Sequence, residues 1–169
     1  IYSCLNNRLE IFKLLLNNGA DLDITNKHGD TALTLAISNR NIEFAKLLLD
    51  AGADIDKQNN YGYNALIWAA VSNLDELIKL LLYRGANTNM INDDGDTALI
   101  WASRNSNIEI VKLLLNAGAD IDKQNKLGYT ALIWASQDNN IEIVKLLLNA
   151  GANIDKQNKS GDTALISAS

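Results

Sequence analysis

The chain has 169 residues, a net charge of −5 and a pI near 4.8, so it carries no positive field of the kind that draws nucleic-acid phosphates or anionic lipid surfaces. Its only cysteine, Cys4, has no partner for an intramolecular bridge, and no apolar run approaches the roughly 18 residues needed to span a bilayer. The first residues, IYSCLNNRLE, lack the basic start and apolar core of a signal peptide; with one cysteine and no disulfide framework, a thiol-reducing intracellular, cytoplasmic setting is the expectation.

The elements repeat in chain order. After an opening stretch that ends in IFKLLLNNGAD, Gly29-Asp30-Thr31 marks a turn, and Thr31 is placed to cap a short helix over TALTLAISN. A polar break at Asn39-Arg40-Asn41 precedes a second helix, IEFAKLLLDA, closed by Gly52 in the manner of a left-handed cap. An extended stretch from Ala53 to Asn59 then reaches the next turn at Asn60-Tyr61-Gly62. The scheme recurs every 33 residues, with turn glycines at Gly29, Gly62, Gly95, Gly128 and Gly161 and closing glycines at Gly19, Gly52, Gly85, Gly118 and Gly151. Residues 93–125 and 126–158 agree at 26 of 33 positions. Fixed-period similarity of this length is the signature of a stacked-repeat architecture. The second helices, such as Ile108, Ile110, Val111, Leu113, Leu114 and Leu115, are apolar around most of their circumference, as inner layers should be. Four of them offer a Glu three residues before a Lys (Glu10-Lys13, Glu76-Lys79, Glu109-Lys112, Glu142-Lys145).

These motifs resemble the ankyrin repeat, whose pattern is a turn glycine, T-P-L-H-x-A-A, a second helix with K-L-L-L, and G-A-D-V-N. Here it reads GDTALTLA…KLLLDAGADID, GYNALIWA…KLLLYRGANTN, GDTALIWA…KLLLNAGADID and GYTALIWA…KLLLNAGANID. The resemblance implies an all-α solenoid of stacked helix-turn-helix units with hairpin-like loops. The units are a partial repeat over 1–26, full repeats over 27–59, 60–92, 93–125 and 126–158, and a partial repeat over 159–169, in all a monomeric fragment of a longer array. Alanine replaces the family's proline, and Thr34, Ile67, Ile100, Ile133 and Ile166 replace its histidine, which shifts stability toward apolar packing. The inter-helix glycine becomes Arg40, Asn73, Ser106 or Asn139. The absence of proline and the 23 asparagines point to an AT-rich coding sequence, as in arrays of large DNA viruses, intracellular bacteria or some protists.

In the family, the turns and first helices form fingertips and a concave groove where partners bind. The seven differences between the two most similar units fall largely there: Asp93/Lys126, Asp94/Leu127, Asp96/Tyr129, Arg104/Gln137, Asn105/Asp138 and Ser106/Asn139, with Asp120/Asn153 apart. Trp68, Trp101 and Trp134 stand three and four residues before groove positions (Ser72, Arg104, Asn105, Gln137, Asp138 among them), hence on one helix face. Either they form an aromatic ladder along the groove, of the residue type most enriched at binding hot spots, or the rings wedge between units as core. Tyr61, Tyr63 and Tyr129 at the turns are expected to be better exposed. The partner is a protein or peptide.

Other chemistry is weak. Asp21-Leu22-Asp23, Asp54-Ile55-Asp56 and Asp120-Ile121-Asp122 could offer a cation a few oxygens, but a hard cation takes six or more, and the motif matches the family's structural loop segment. His28 is a lone histidine on a turn, without Cys or His neighbours. No phosphate-cradling glycine motif is present, and the lysines Lys46, Lys79, Lys112 and Lys145 are dispersed among acids. Cys4 reads as a small apolar helix residue. The expectation is therefore a non-enzymatic binding module without cofactor or metal. A structural spacer that stacks end to end, or a regulatory part of a larger protein such as a ubiquitin-ligase adaptor, are the alternatives.

Overall fold

A capping side chain starts nearly every helix. The computed structural model describes residues 2–169, with side chains from Arg8 onward, and Cys4 therefore has its side chain outside the described residues. The helices are α1 (Tyr2–Asn17), α2 (Ala32–Ser38), α3 (Ile42–Asp50), α4 (Ala65–Val71), α5 (Asp75–Tyr83), α6 (Ala98–Arg104), α7 (Ile108–Asn116), α8 (Ala131–Gln137), α9 (Ile141–Asn149) and α10 (Ala164–Ser167). Thr31, Asn64, Thr97, Thr130 and Thr163 each accept a hydrogen bond from the backbone N–H three residues on, at the start of α2, α4, α6, α8 and α10. Asn41, Asn107 and Asn140 do the same for α3, α7 and α9, whereas Leu74 leaves α5 without a side-chain cap. The opening stretch departs from this pattern: α1 runs unbroken through 16 residues.

The helices form two layers. The first helices of successive units stack on one another (α2 on α4, α4 on α6, α6 on α8, α8 on α10), and the second helices do likewise (α5 on α7, α7 on α9). Between the layers runs one core whose residues recur at the repeat interval. Leu33, Leu66, Leu99 and Leu132 from the first helices meet Leu48, Leu81, Leu114 and Leu147 from the second, and all are buried. Ala69, Ala102 and Ala135, also buried, present only a methyl to the core. Ile67, Ile100 and Ile133, standing where the family has histidine, are each 1% exposed. Replacement of that histidine has given apolar packing in three units. In the fourth, Thr34 donates its hydroxyl to the Thr31 carbonyl.

No residue is in a β-strand among those described; the loops between units are successive turns tied by one backbone bond per interval. Asn60 N–H donates to His28 C=O, Asp93 to Tyr61, Lys126 to Asp94 and Lys159 to Leu127, at 2.8–3.0 Å. The paired acids serve this loop. Asp54 Oδ1 accepts from the Asp56 N–H, and Asp120 Oδ1 from that of Asp122. The second acid reaches the next unit: Asp23 accepts from Asp54 N–H, Asp56 from Asn87 N–H and Asp122 from Asn153 N–H. Gln58 and Gln124 each bridge two carbonyls, one in their own turn and one in the next unit.

Of the four Glu-Lys pairs, two close: Glu76–Lys79 at 3.1 Å and Glu142–Lys145 at 3.2 Å. Glu109 leans to Lys79 of the preceding unit at 3.9 Å instead of to Lys112. All are solvent-exposed, where such pairs contribute little.

The two glycine sets do different work. Both have positive φ, 76° at Gly62 and 83° at Gly85. A Cβ on Gly62 would lie 2.7 Å from Asn92 Cα and 2.8 Å from Asp93 N, whereas one on Gly85 would meet nothing within 4 Å. We therefore expect Gly85→Ala to cost about 1–2 kcal/mol from backbone strain alone, and Gly62→Ala clearly more, read as the shift in denaturant midpoint. Equal losses would mean that the close approach of the turns contributes nothing. The inter-helix residues Arg40, Asn73, Ser106 and Asn139 all sit at φ 55–58°, the conformation the family's glycine supplies. Asparagine adopts it at less cost than serine. Ser106→Gly should raise stability by about 1 kcal/mol, roughly 2–4 °C in melting temperature, and Asn139→Gly by less.

Candidate partner-binding face

The first helices have only two turns each, and their capping residues fix which face meets the core. Ala65, Leu66 and Ile67 point inward in α4, as do Ala98, Leu99 and Ile100 in α6 and Ala131, Leu132 and Ile133 in α8. The following residue, Trp68, Trp101 or Trp134, is thereby left at the margin of the core, partly buried. Trp68 and Trp101 pack one side against the core. The Nε1 atoms of all three are buried and hydrogen-bond to nothing among the described residues. The ladder is thus a border of the core, neither free-standing nor wholly interior.

What covers the rings alternates. Tyr63 lies over Trp68 with centroids 4.7 Å apart, and Tyr129 over Trp134 at 4.5 Å. These two tyrosines, expected to stand exposed at the turns, are instead partly buried against the indoles, because residue i of the turn comes above residue i+5 of the helix. Tyr61, one residue before the turn glycine, is the exposed one at 56%. Asp96 occupies the equivalent place above Trp101, yet it does not cover the ring. It is 6% exposed and accepts a hydrogen bond from Asn125 Nδ2 at 2.7 Å. Asp30 does the same for Asn59. The fingertip role expected for Asp96 is therefore corrected: this carboxylate ties one turn to the next. Burial raises its pKa above the usual carboxylate range, and the Asn125 hydrogen bond opposes that.

Trp101 is met by a different group. The Arg104 guanidinium carbon lies 5.1 Å from the Trp101 centroid and 4.9 Å from that of Trp134, so one cation sits between the indoles of successive units. Contact with Trp101 was legible from the three-residue spacing; contact with Trp134 arises only from stacking. Arg104 is exposed, as are Asp94, Leu127, Gln137 and Asp138, and Ser72 is partly buried. Asn105 is partly buried because its amide donates to the Ala70 and Val71 carbonyls at the end of the preceding first helix. That role was not foreseen, although an amide in register with a helix end one unit earlier was the available signal. The residues that the structure brings into one neighbourhood are thus Trp101, Arg104, Tyr129 and Trp134, with Tyr63 and Trp68 paired beside them.

Among the described residues no group of three or more His, Cys, Asp or Glu is gathered to hold a metal ion, and no helix is long and apolar enough to cross a membrane. His28 is exposed on its turn and uses its backbone carbonyl to accept from Asn60.

No curated protein matches this chain. The family model described as "Ankyrin repeats (3 copies)" matches residues 1–92, 56–125 and 117–169. Paired short helices at a 33-residue interval, layered around a continuous core and joined by turns that lock to one another, agree with that match, and the chain belongs to the ankyrin-repeat family.

Proposed function

We propose that this chain is a protein-interaction module that takes a protein or peptide on the face made by its turns and first helices, inside a cell and without cofactor. Ankyrin repeats are generally non-catalytic scaffolds for binding other proteins, and the finer claim concerns which residues of this chain make the contact. The observation that carries it is where the two most similar units differ. Asp93, Asp94, Arg104, Lys126, Leu127, Gln137 and Asp138 are all exposed, and all lie on turns or at the ends of first helices. The core leucines of the same units are identical. A scaffold is indifferent to these exposed positions, whereas a bound partner is not. Tyr61, Tyr63, Trp68, Trp101, Tyr129 and Trp134 add aromatic area on the same side, with few rotatable bonds to be ordered on binding. Ser72, Asn105 and Asp94 complete the proposed contact set.

The test is affinity capture from a cell lysate with three baits, each shown by circular dichroism to fold. One is the natural chain, and the second carries Tyr61→Ala, Leu127→Ala, Arg104→Glu and Asp138→Lys. The third carries Tyr83→Ala and Lys112→Glu, exposed residues of second helices. We expect a protein retained by the first and third baits and lost by the second. Retention by the second with loss by the third would move the binding face to the second helices.

A further inference from the structure

Five arginine N–H groups form the edge of a rigid plane, and the faces of that plane can be covered without using any of them. Arg104 packs against two indoles: its guanidinium carbon lies over the Trp101 ring at 5.1 Å from the centroid and over the Trp134 ring at 4.9 Å. Among the described residues no carboxylate lies within 4.0 Å of its nitrogens, in contrast to Arg84, whose Nη2 donates to Asp50 at 2.7 Å and whose Nη1 donates to the Leu49 carbonyl. Of the acids nearest in charge, Asp96 is buried and engaged by Asn125, and Asp94 is exposed and too distant to pair. Arg104 is therefore a cation packed against two aromatic rings, on the proposed contact face, with no hydrogen-bond partner for its N–H groups among the described residues.

We infer that Arg104 reads a carboxylate, the side chain of an Asp or Glu in the bound polypeptide. This rests on the reading of the turns and first helices as the partner face. Three arguments select that ligand. A planar carboxylate accepts from two parallel N–H groups of one guanidinium edge, which fixes its direction as well as its charge. A cationic side chain of the partner is disfavoured because the protein's own Arg104 already fills the slot between the two indoles. A dianionic phosphate is disfavoured because three exposed acids, Asp93, Asp94 and Asp138, share these turns and helix ends with the cations Arg104 and Lys126, and repulsion from the acids grows with the ligand's charge. Around the acid, Leu127 at 59% exposed and the partly buried Tyr129 offer apolar area to flanking residues of the same segment. Arg104 has no equivalent in the other full units, since Ser38, Val71 and Gln137 stand at the corresponding positions; the acid is read at one place along the array.

The experiment is selection of short random displayed peptides on the immobilised 169-residue chain, in parallel with Arg104→Gln and Arg104→Lys. Circular dichroism and tryptophan emission show that each is folded. Peptides retained by the natural chain should share an Asp or Glu at a fixed place, and that preference should vanish with Arg104→Gln. For one selected peptide made synthetically, Arg104→Gln should weaken binding by roughly tenfold or more. Exchanging the peptide's acid for its amide should do the same, and both changes together should cost no more than either alone. Arg104→Lys keeps the charge and loses the planar edge, so it should recover binding only in part. The same peptide with phosphoserine at the acid position should bind more weakly than the parent. Retained peptides without a shared acid, or equal binding by Arg104→Gln, would overturn this inference and leave the partner face standing. Tighter binding of the phosphopeptide would replace the carboxylate with phosphate. Failure to retain any peptide would overturn the proposed partner face and this inference with it.

Discussion

Everything in this fold is held to the distance at which one turn touches the next. Gly62 lies so close to Asn92 and Asp93 that there is no space for a methyl group, and Gly29, Gly95 and Gly128 are pressed on their successors in the same way. At that separation a turn N–H reaches the carbonyl of the preceding turn, and the acids and glutamines of the loop reach backbone groups of the following unit. The first helices then come together through small residues such as Ala69 and Ala102, and the leucines of two layers close one core. A repeat of this size cannot bury its apolar face alone. The turn contact is what sets one unit at the right height to cover the other.

Because the contact is local and identical at each interval, most of the architecture was legible in the residues. The glycine spacing, the threonine caps and the apolar second helices are strictly periodic, and periodic signals survive errors at single positions. What stayed hidden lies across the boundary between units. Thr31 as a cap needs only the next three residues, whereas Arg104 between two indoles needs the pitch of the stack. The same is true of Glu109, which faces Lys79 of the preceding unit more closely than Lys112 of its own helix. Tyr63 and Tyr129 looked exposed because turns are usually exposed, yet each folds over the indole five residues later. The abundance of asparagine points to coding bias, but the structure gives much of it a task. It caps helices at Asn41, Asn107 and Asn140, adopts positive φ at Asn73 and Asn139, and orders the turns at Asn59, Asn92 and Asn125.

Beneath the 33-residue interval lies a second one, twice as long. The residue after the turn glycine alternates: Asp30, Tyr63, Asp96, Tyr129, Asp162. An aspartate there accepts from the turn asparagine of the next unit, Asn59 for Asp30 and Asn125 for Asp96. A tyrosine cannot supply that acceptor, and it turns inward onto the indole instead. The consequence is visible at Asn92, which follows a tyrosine unit: its Nδ2 is buried with no partner. Asn158, in the same situation, turns its amide to Asp162 of its own unit. Asp30 accepts both from Asn59 of the next unit and from Asn26 of its own turn, whereas the side chain of Asp96 accepts from Asn125 and not from Asn92.

This alternation also explains how Arg104 comes to lie where it does. In tyrosine units the indole face is taken by the ring above it. In the unit that begins at Asp93 the aspartate accepts from Asn125, and the group that lies over Trp101 is the Arg104 guanidinium. An arginine at that position covers that indole and, through the stacking interval, reaches the next one. Gln137, the equivalent residue in the following unit, finds Trp134 already shared between Tyr129 and Arg104. The Arg104 guanidinium and the Asp96 carboxylate thus part company: the one packs on indoles at the surface, and the other is buried and ties its turn to the next.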